Sequence, residues 1–105
     1  MNIQIKKGVL ELCVLALLEE QDRYGYELVN RISQRIQMAD GTIYPLLKRL
    51  KVDGLVTTYL CESVEGPPRK YYKITDMGKK INDENLREWQ EFSDSVHLFL
   101  KEARK

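Results

Sequence analysis

Six basic residues lie in two stretches of the chain that contain no acidic residue: Lys48, Arg49, Lys51, Arg69, Lys70 and Lys73. The stretches span residues 41–52 and 66–73. Elsewhere acidic residues are in excess, because the 105 residues include 17 basic and 16 acidic side chains and carry a net charge of only +1. Cations grouped without counter-ions can neutralise phosphates, so both stretches are candidates for a surface that binds a polyanion. For either stretch alone, the competing interpretation is a solvated lysine-rich face.

Residues suited to catalysis or metal coordination are scarce. His97 is the only histidine, and the two cysteines, Cys13 and Cys61, lie far apart in the chain. One chain therefore lacks the four ligands of a structural zinc site, and neither a nucleophile elbow nor a phosphate-binding glycine loop occurs. The sequence predicts no enzyme, no cofactor and no metal site. We expect His97 at the surface or in an interface, and Cys13 as a small apolar residue of the core.

The composition is that of a folded domain, since 43% of the residues are hydrophobic and 31% are charged. The longest apolar run, Leu12–Leu18, is much shorter than the roughly 20 residues that a membrane span requires. Glu11 interrupts the apolar stretch after Lys6 and Lys7, and no small-residue cleavage site follows, so we expect no secretion signal. The sequence thus predicts a cytoplasmic location, reduced thiols and no membrane association.

Three helices are predicted in the first half of the chain. Residues 8–20 form a helix that is apolar almost all round, which requires a central place in the core or cover by a second chain. Residues 25–37 carry one apolar stripe at helical spacing. Residues 41–53 form the third helix, with Asp40 or Thr42 as its expected N-cap. The apolar stripe of this third helix consists of Ile43, Leu46, Leu47 and Leu50.

A hairpin and a long helix are predicted in the second half. Residues 55–61 and 69–75 are rich in β-branched and aromatic side chains, which favours two antiparallel strands. The Gly/Pro-containing tip spans residues 62–68, where Pro67 and Pro68 are expected to stop further pairing.

The last helix is expected to begin at the N-cap Thr75 and to run to about Ala103, which is about 40 Å at 1.5 Å per residue. Gly78 is expected to weaken its first turn mildly. Such a helix is longer than the rest of so small a domain.

This order of elements predicts a mainly α fold with a small β-hairpin, namely a winged helix-turn-helix in residues 1–75 followed by a C-terminal dimerisation helix in residues 76–105. In that fold the third helix enters the DNA major groove and the hairpin, or wing, touches the adjacent backbone. Both basic stretches then lie on DNA-contacting elements. The predicted DNA-binding residues are Thr42, Tyr44, Lys48, Arg49, Arg69 and Lys70. A winged-helix module that binds a protein without binding DNA remains the alternative.

Four segments also carry a family resemblance: Lys7–Leu12, Tyr24–Leu28, Gly41–Leu50 and Glu65–Tyr72. With the strings GTIYPLL and GPPRKYY among them, the chain resembles the PadR family of bacterial transcription regulators, and its length resembles the short subfamily. The resemblance implies a dimer held by the C-terminal helix, which represses promoters and releases DNA when a small aromatic or lipophilic ligand binds. Ala39 departs from the family pattern, which often has a capping Ser or Thr at that position.

The first and last helices expose more apolar surface than one chain can cover, which predicts a two-fold homodimer and a pseudo-palindromic operator. The predicted dimer-interface residues are Val9, Leu12, Trp89, Phe92, Val96 and Phe99. By resemblance, Trp89 matches a tryptophan that lines a central pore in multidrug-responsive family members. This implies that Trp89, Phe92 and Val96 bind a planar aromatic effector. The alternative is that Trp89 only packs in the interface.

Overall fold

The computed structural model describes residues 3–39 and 41–104, with side chains from Gly8 onward within those ranges. In this part of the chain, the elements in order are α1 Ile3–Glu20, β1 Arg23–Tyr24, α2 Gly25–Ser33, α3 Ile43–Val52, β2 Val56–Ser63, β3 Gly66–Ile74 and α4 Asp76–Ala103. The strands form an antiparallel sheet of order β1-β3-β2. The predicted class, a mainly helical winged helix-turn-helix with a long C-terminal helix, is confirmed.

The core is built around α1, as its apolar sequence predicts. Leu10, Val14, Leu15 and Leu18 are almost completely buried against α2, α3 and the base of the sheet. Each fully buried leucine contributes about 1.5–3 kcal/mol relative to an exposed one, so this face of α1 holds the domain together. The remaining face of α1 is only partly covered within one chain, and Ala16 on it is exposed.

The two helices of the helix-turn-helix are each shorter than expected. α2 ends at Ser33 and not near residue 37, because Gln34 and Ile36 continue the chain as a turn that donates to the carbonyls of Asn30 and Ile32. Ile36 still packs on the core from this turn. The apolar stripe of α2 was therefore predicted correctly even though its end was not.

The N-terminus of α3 differs from the cap predicted for it. Thr42 already has helical backbone angles, and its hydroxyl donates to the carbonyl of Ala39 at 2.7 Å instead of accepting from the first turn of α3. Asp40, the other predicted cap, lies outside the described residues. Pro45 occupies the first turn, where its missing N–H costs no hydrogen bond. Gly54 ends the helix with φ +79°.

The wing is longer and its tip tighter than the sequence indicates. Only residues 64–65 connect β2 to β3, and β3 includes Pro67 and Pro68, which were wrongly predicted to end the pairing. Cys61 faces Arg69 and Ser63 faces Gly66, so the two prolines stand opposite the single residue between Cys61 and Ser63. This bulge accommodates proline, because a bulged residue does not have to donate a ladder hydrogen bond.

α4 begins as predicted at Thr75, whose hydroxyl oxygen accepts a hydrogen bond from the N–H of Gly78 at 3.0 Å. Gly78 is buried against the backbone carbonyl of Leu55, and a Cβ at this position would collide with that oxygen. It is therefore required for close packing of α4 on the sheet, and its prediction as a mild weakness was wrong. No helix in residues 3–39 or 41–104 is long and apolar enough to cross a membrane.

Candidate nucleic-acid interface

α3 divides its side chains between the core and the solvent. The members of its predicted apolar stripe are all buried: Ile43, Leu46, Leu47 and Leu50. Anchored along this stripe, the helix must present its other residues outward. Tyr44, Lys48, Lys51 and Val52 are all exposed on the solvent side.

A groove of about 610 Å³ lies between α3 and the wing. Its polar lining consists of Tyr44, Lys48, Lys51, Lys70 and Tyr72. The side chains of three lysines therefore share one concave surface whose lining includes no carboxylate. None of these lysines forms an ion pair with another described residue. A concave surface with unpaired cations and aromatic hydroxyls is suited to a phosphate backbone.

A second hollow, of about 320 Å³, joins the base of the wing to the start of α2, and Tyr44, Arg69 and Lys70 line it together with Tyr26. The guanidinium carbon of Arg69 lies 4.6 Å from the centroid of the Tyr24 ring, a cation–π contact that orients the arginine along the sheet. The two hollows share Tyr44 and Lys70, so they form one continuous surface. We call the surface formed by Tyr26, Tyr44, Lys48, Lys51, Arg69 and Lys70 the basic groove.

Two predicted DNA-binding residues lie outside this basic groove. Thr42 and Arg49 border a small hollow between α3 and α1. Arg49 donates to the carboxylate of Glu11 on α1 at 3.0 Å. The structure thus brings Tyr44, Lys48, Arg69 and Lys70 together and places the other two on the adjacent side of α3.

Lys51 and Tyr26 belong to the basic groove but were not among the predicted site residues. Lys51 carried a usable signal, since it follows Lys48 by three positions and therefore lies on the same face of a helix. Tyr26 carried none, because its place beside the wing depends on how α2 packs against β3.

Arg23 is the main structural residue that the sequence interpretation missed. It lies outside every helix and strand predicted from the sequence, yet it forms β1 with Tyr24 and its side chain is 2% exposed. Its guanidinium donates to the carbonyl of Leu17, to Glu27 at 3.1 Å and to Glu20 at 2.7 Å. It therefore ties the end of α1 to the start of α2. The spacing of Glu20 and Glu27 around Arg23 was the available signal.

Three tyrosines form a row across the outer face of the sheet. Tyr71 lies between Tyr24 and Tyr59, with ring centroids 5.6 and 5.7 Å away. The Tyr59 hydroxyl donates to a carboxylate oxygen of Asp22 at 2.6 Å, and this hydrogen bond raises the pKa of Tyr59 to about 12. The row thereby connects the wing to the α1–β1 connection.

A cleft of about 370 Å³ opens between α1 and α4. Its aromatic wall is formed by Trp89 and Phe92, whose ring centroids are 6.5 Å apart, and Val9 and Leu12 face them from α1. Val96, predicted with them as an effector-binding residue, lies further along α4 and does not line this cleft. The carboxylate residues Glu11 and Glu88 also border it.

Along this cleft and beyond it, α4 keeps a stripe of exposed apolar side chains: Leu86, Trp89, Phe92, Val96, Phe99 and Leu100, with Leu98 exposed on the opposite side of the helix. His97 is exposed on the same helix. Cys13 is half-buried, and burial raises the pKa of its thiol, whereas Cys61 is exposed on the wing. Within the described ranges, no group of three or more His, Cys, Asp or Glu residues is placed to hold a metal ion.

The fold and its basic groove define a winged-helix transcription regulator. The chain belongs to the Transcriptional regulator PadR-like family, whose model matches residues 14–84. Members of that family are regulators and not enzymes, so the prediction of a non-enzyme is confirmed, as is the resemblance noted from the sequence.

Individual relatives agree with this assignment. The chain is similar to the transcriptional regulator Rv3488 of Mycobacterium tuberculosis, with 27% identity over 89% of this chain and 87% of that protein. Among solved structures, a PadR-like transcriptional regulator of Bacillus cereus matches with a TM-score of 0.83 and 38% identity, covering 92% of this chain and 96% of that one. A Streptococcus transcriptional regulator also matches with a TM-score of 0.83, at 35% identity, covering 91% and 96%.

Proposed function

We propose that this PadR-family regulator binds double-stranded DNA as a two-fold homodimer, with α3 in the major groove and the wing on the flanking backbone. The observation that carries the proposal is the basic groove, where Lys48, Lys51 and Lys70 share a surface whose lining includes no carboxylate. In this arrangement the lysines and Arg69 contact phosphates, while Tyr44 lies at the groove edge. Phosphate contacts supply affinity and position the protein, whereas base contacts supply specificity.

The experiment is a titration of promoter DNA from the upstream region of the protein's own gene at several salt concentrations. Each phosphate contact contributes about −0.9 to the log–log slope of affinity against salt. Lys48→Ala and Lys70→Ala should therefore each flatten the slope by about one unit per half-site and weaken binding to all sequences. Lys101→Ala, which removes an exposed lysine at the far end of α4, is the control and should leave the slope unchanged. Unchanged slopes in both groove variants would remove the groove from the DNA interface.

The homodimer part of the proposal rests on the exposed stripe of α4. Phe92 is 60% and Phe99 is 72% exposed in one chain, which is unusual for large apolar side chains arranged at helical spacing. A second α4 packed along this stripe, against α1 of the partner, covers both helices. A two-fold dimer spaces the two α3 helices about one turn of DNA apart, which requires a pseudo-palindromic operator.

Light scattering and truncation test the dimer. The full chain should have the mass of a dimer at micromolar concentration, and truncation after Asn85 should abolish operator binding. A full-length monomer that binds its operator tightly would contradict this part of the proposal.

We further propose that the regulator is a repressor released by a planar aromatic or lipophilic effector, which enters the α1–α4 cleft beside Trp89 and Phe92. Binding there alters the angle between the C-terminal helices and so the separation of the two α3 helices. A tenfold loss of operator affinity requires about 1.4 kcal/mol of coupling between the two sites. Val96 would contribute from the partner's side of the dimer, since it does not line the cleft within one chain.

Trp89 reports directly on this site, because it is the only tryptophan. Planar dyes or phenolic compounds should quench its fluorescence and release operator DNA, and Trp89→Ala should abolish that release. If no such compound quenches Trp89, or if the alanine variant still releases DNA normally, Trp89 is an interface residue only.

Family membership makes DNA binding a better-supported role than the alternative of a module that binds only proteins. A promoter regulator acts in the compartment that holds the DNA, so we propose a cytoplasmic location.

A further inference from the structure

The ion pair between Glu11 and Arg49 connects the two surfaces to which function has been assigned. Arg49 lies on α3, one position after the groove residue Lys48. Glu11 lies on α1, where it lines the cleft that contains Trp89. The Arg49 Nη2 to Glu11 Oε2 distance is 3.0 Å.

The two partners differ in their freedom to move. Glu11 is 21% exposed and has a short side chain on the central helix of the core. Arg49 is 47% exposed and has the longer, more flexible side chain. If the pair breaks, Arg49 is therefore the partner that swings away.

We propose that Glu11 holds Arg49 off the DNA, so that Arg49 reaches a phosphate only by exchanging one anion for another. This inference rests on the proposed DNA-binding function. In the free protein Arg49 is therefore paired with Glu11, and in the DNA-bound protein it contacts a phosphate instead. An exposed ion pair is weak enough for such an exchange, because phosphate also offers a doubly hydrogen-bonded partner to arginine.

Weakening the pair should therefore strengthen DNA binding. Glu11→Gln removes the carboxylate, and Glu11→Asp keeps the charge but withdraws it by one methylene. A dimer contains two Glu11–Arg49 ion pairs, and Glu11→Gln removes both. It should raise the affinity for DNA of the protein's own promoter by about 2- to 30-fold, the range expected for two exposed ion pairs. Glu11→Asp should produce a smaller gain in the same direction.

Two further variants separate the contact from a general change in charge. Glu88→Gln removes another carboxylate from the same cleft. Its gain in DNA affinity should be clearly smaller than that of Glu11→Gln, since Glu88 has no ion pair with Arg49. In an Arg49→Gln background, Glu11→Gln should have no greater effect than Glu88→Gln. Circular dichroism and light scattering establish that each variant is folded and assembled as wild type.

The outcomes distinguish this inference from the proposed function. If wild type binds DNA in a manner that depends on Lys48 and Lys70, but both Glu11 variants bind no better than Glu88→Gln, the exchange is wrong and the DNA-binding function stands. A gain in Glu11→Gln that persists without Arg49 also overturns the exchange. If wild type does not bind DNA at all, both proposals fail.

Discussion

The winged-helix body, residues 3–75, buries most of its large apolar side chains, whereas the distal part of α4, from Leu86 onward, leaves them exposed. In the body, leucines such as Leu47 are completely buried within one chain. Along α4, only Gly78 and Asn82 near its start are buried, and large apolar residues further on remain exposed. The difference agrees with the proposed homodimer, in which the body folds on its own contacts and the distal part of α4 takes its stability from the partner.

The first prediction, which has the largest expected effect, compares an alanine substitution in the buried core with one on the exposed stripe of α4. Leu47→Ala should destabilise the fold by about 2–5 kcal/mol, because it leaves a cavity in a closed core. Phe99→Ala should leave the fold of one chain intact and instead raise the dimer dissociation constant. Chemical denaturation measures the first effect and concentration-dependent light scattering the second.

A control variant makes that comparison specific. Val64, at the wing tip, is a fully exposed apolar residue. Val64→Ala should change neither the free energy of unfolding nor the dimer dissociation constant. If Phe99→Ala behaves in the same way, the exposed stripe of α4 is not a dimer interface.

The second prediction concerns the start of α4, where the helix still belongs to the body. Gly78→Ala should destabilise the protein by about 1–3 kcal/mol, because the new methyl group would collide with the Leu55 carbonyl and with Ile74. Gly8→Ala is the matched control in α1, since a Cβ there meets nothing within 4 Å. It should stabilise by about 0.5–1 kcal/mol through helix propensity. If thermal unfolding shows that both variants change the stability in the same direction, the close packing at Gly78 is contradicted.

How far the sequence predicts this structure depends on the range of the interactions involved. The buried stripe of α3 follows from local periodicity, and the outward direction of Tyr44 and Lys48 follows from the stripe. The wing bulge at Pro67 and Pro68 does not follow, because it depends on the register between two strands. The collision that requires glycine at position 78 depends on where Leu55 lies, which no local pattern specifies.

The candidate site shows the same limit. Lys48 and Lys70 were predicted from charge clustering together with the winged-helix order of elements, and the structure places both in one groove. The position of Arg49 was not predictable in this way, since its partner Glu11 is 38 residues away in the chain. Likewise, β1 exists only because Arg23 pairs with Tyr72 of the distant wing.

The third prediction tests the junction between body and α4 through its cap. The Thr75 hydroxyl accepts from the N–H of Gly78 and donates to the carbonyl of Gly54 at 2.7 Å. Thr75→Ala removes both hydrogen bonds and should cost about 0.5–2 kcal/mol of unfolding free energy. Thr75→Ser keeps the hydroxyl and should retain most of the stability in denaturant titrations. Equal losses in both variants would assign the effect to the lost methyl group and not to the cap.

The smallest expected effect lies in the wing, the part of the body furthest from the core. The hydrogen bond from Tyr59 to Asp22 favours the protonated phenol, so the folded-state pKa of about 12 exceeds the ordinary value of 10.0. The stabilisation is therefore complete below pH 10 and is lost as the pH rises from there towards 12.

Because Tyr59 is exposed, the change in stability should be slight. Wild type should lose a little more stability than Tyr59→Phe over this interval, as measured by urea unfolding at each pH. Ultraviolet titration should show that the variant lacks a tyrosine that ionises near pH 12. If Tyr59→Phe removes a tyrosine that ionises near pH 10 instead, the hydrogen bond does not hold the wing to Asp22 in solution.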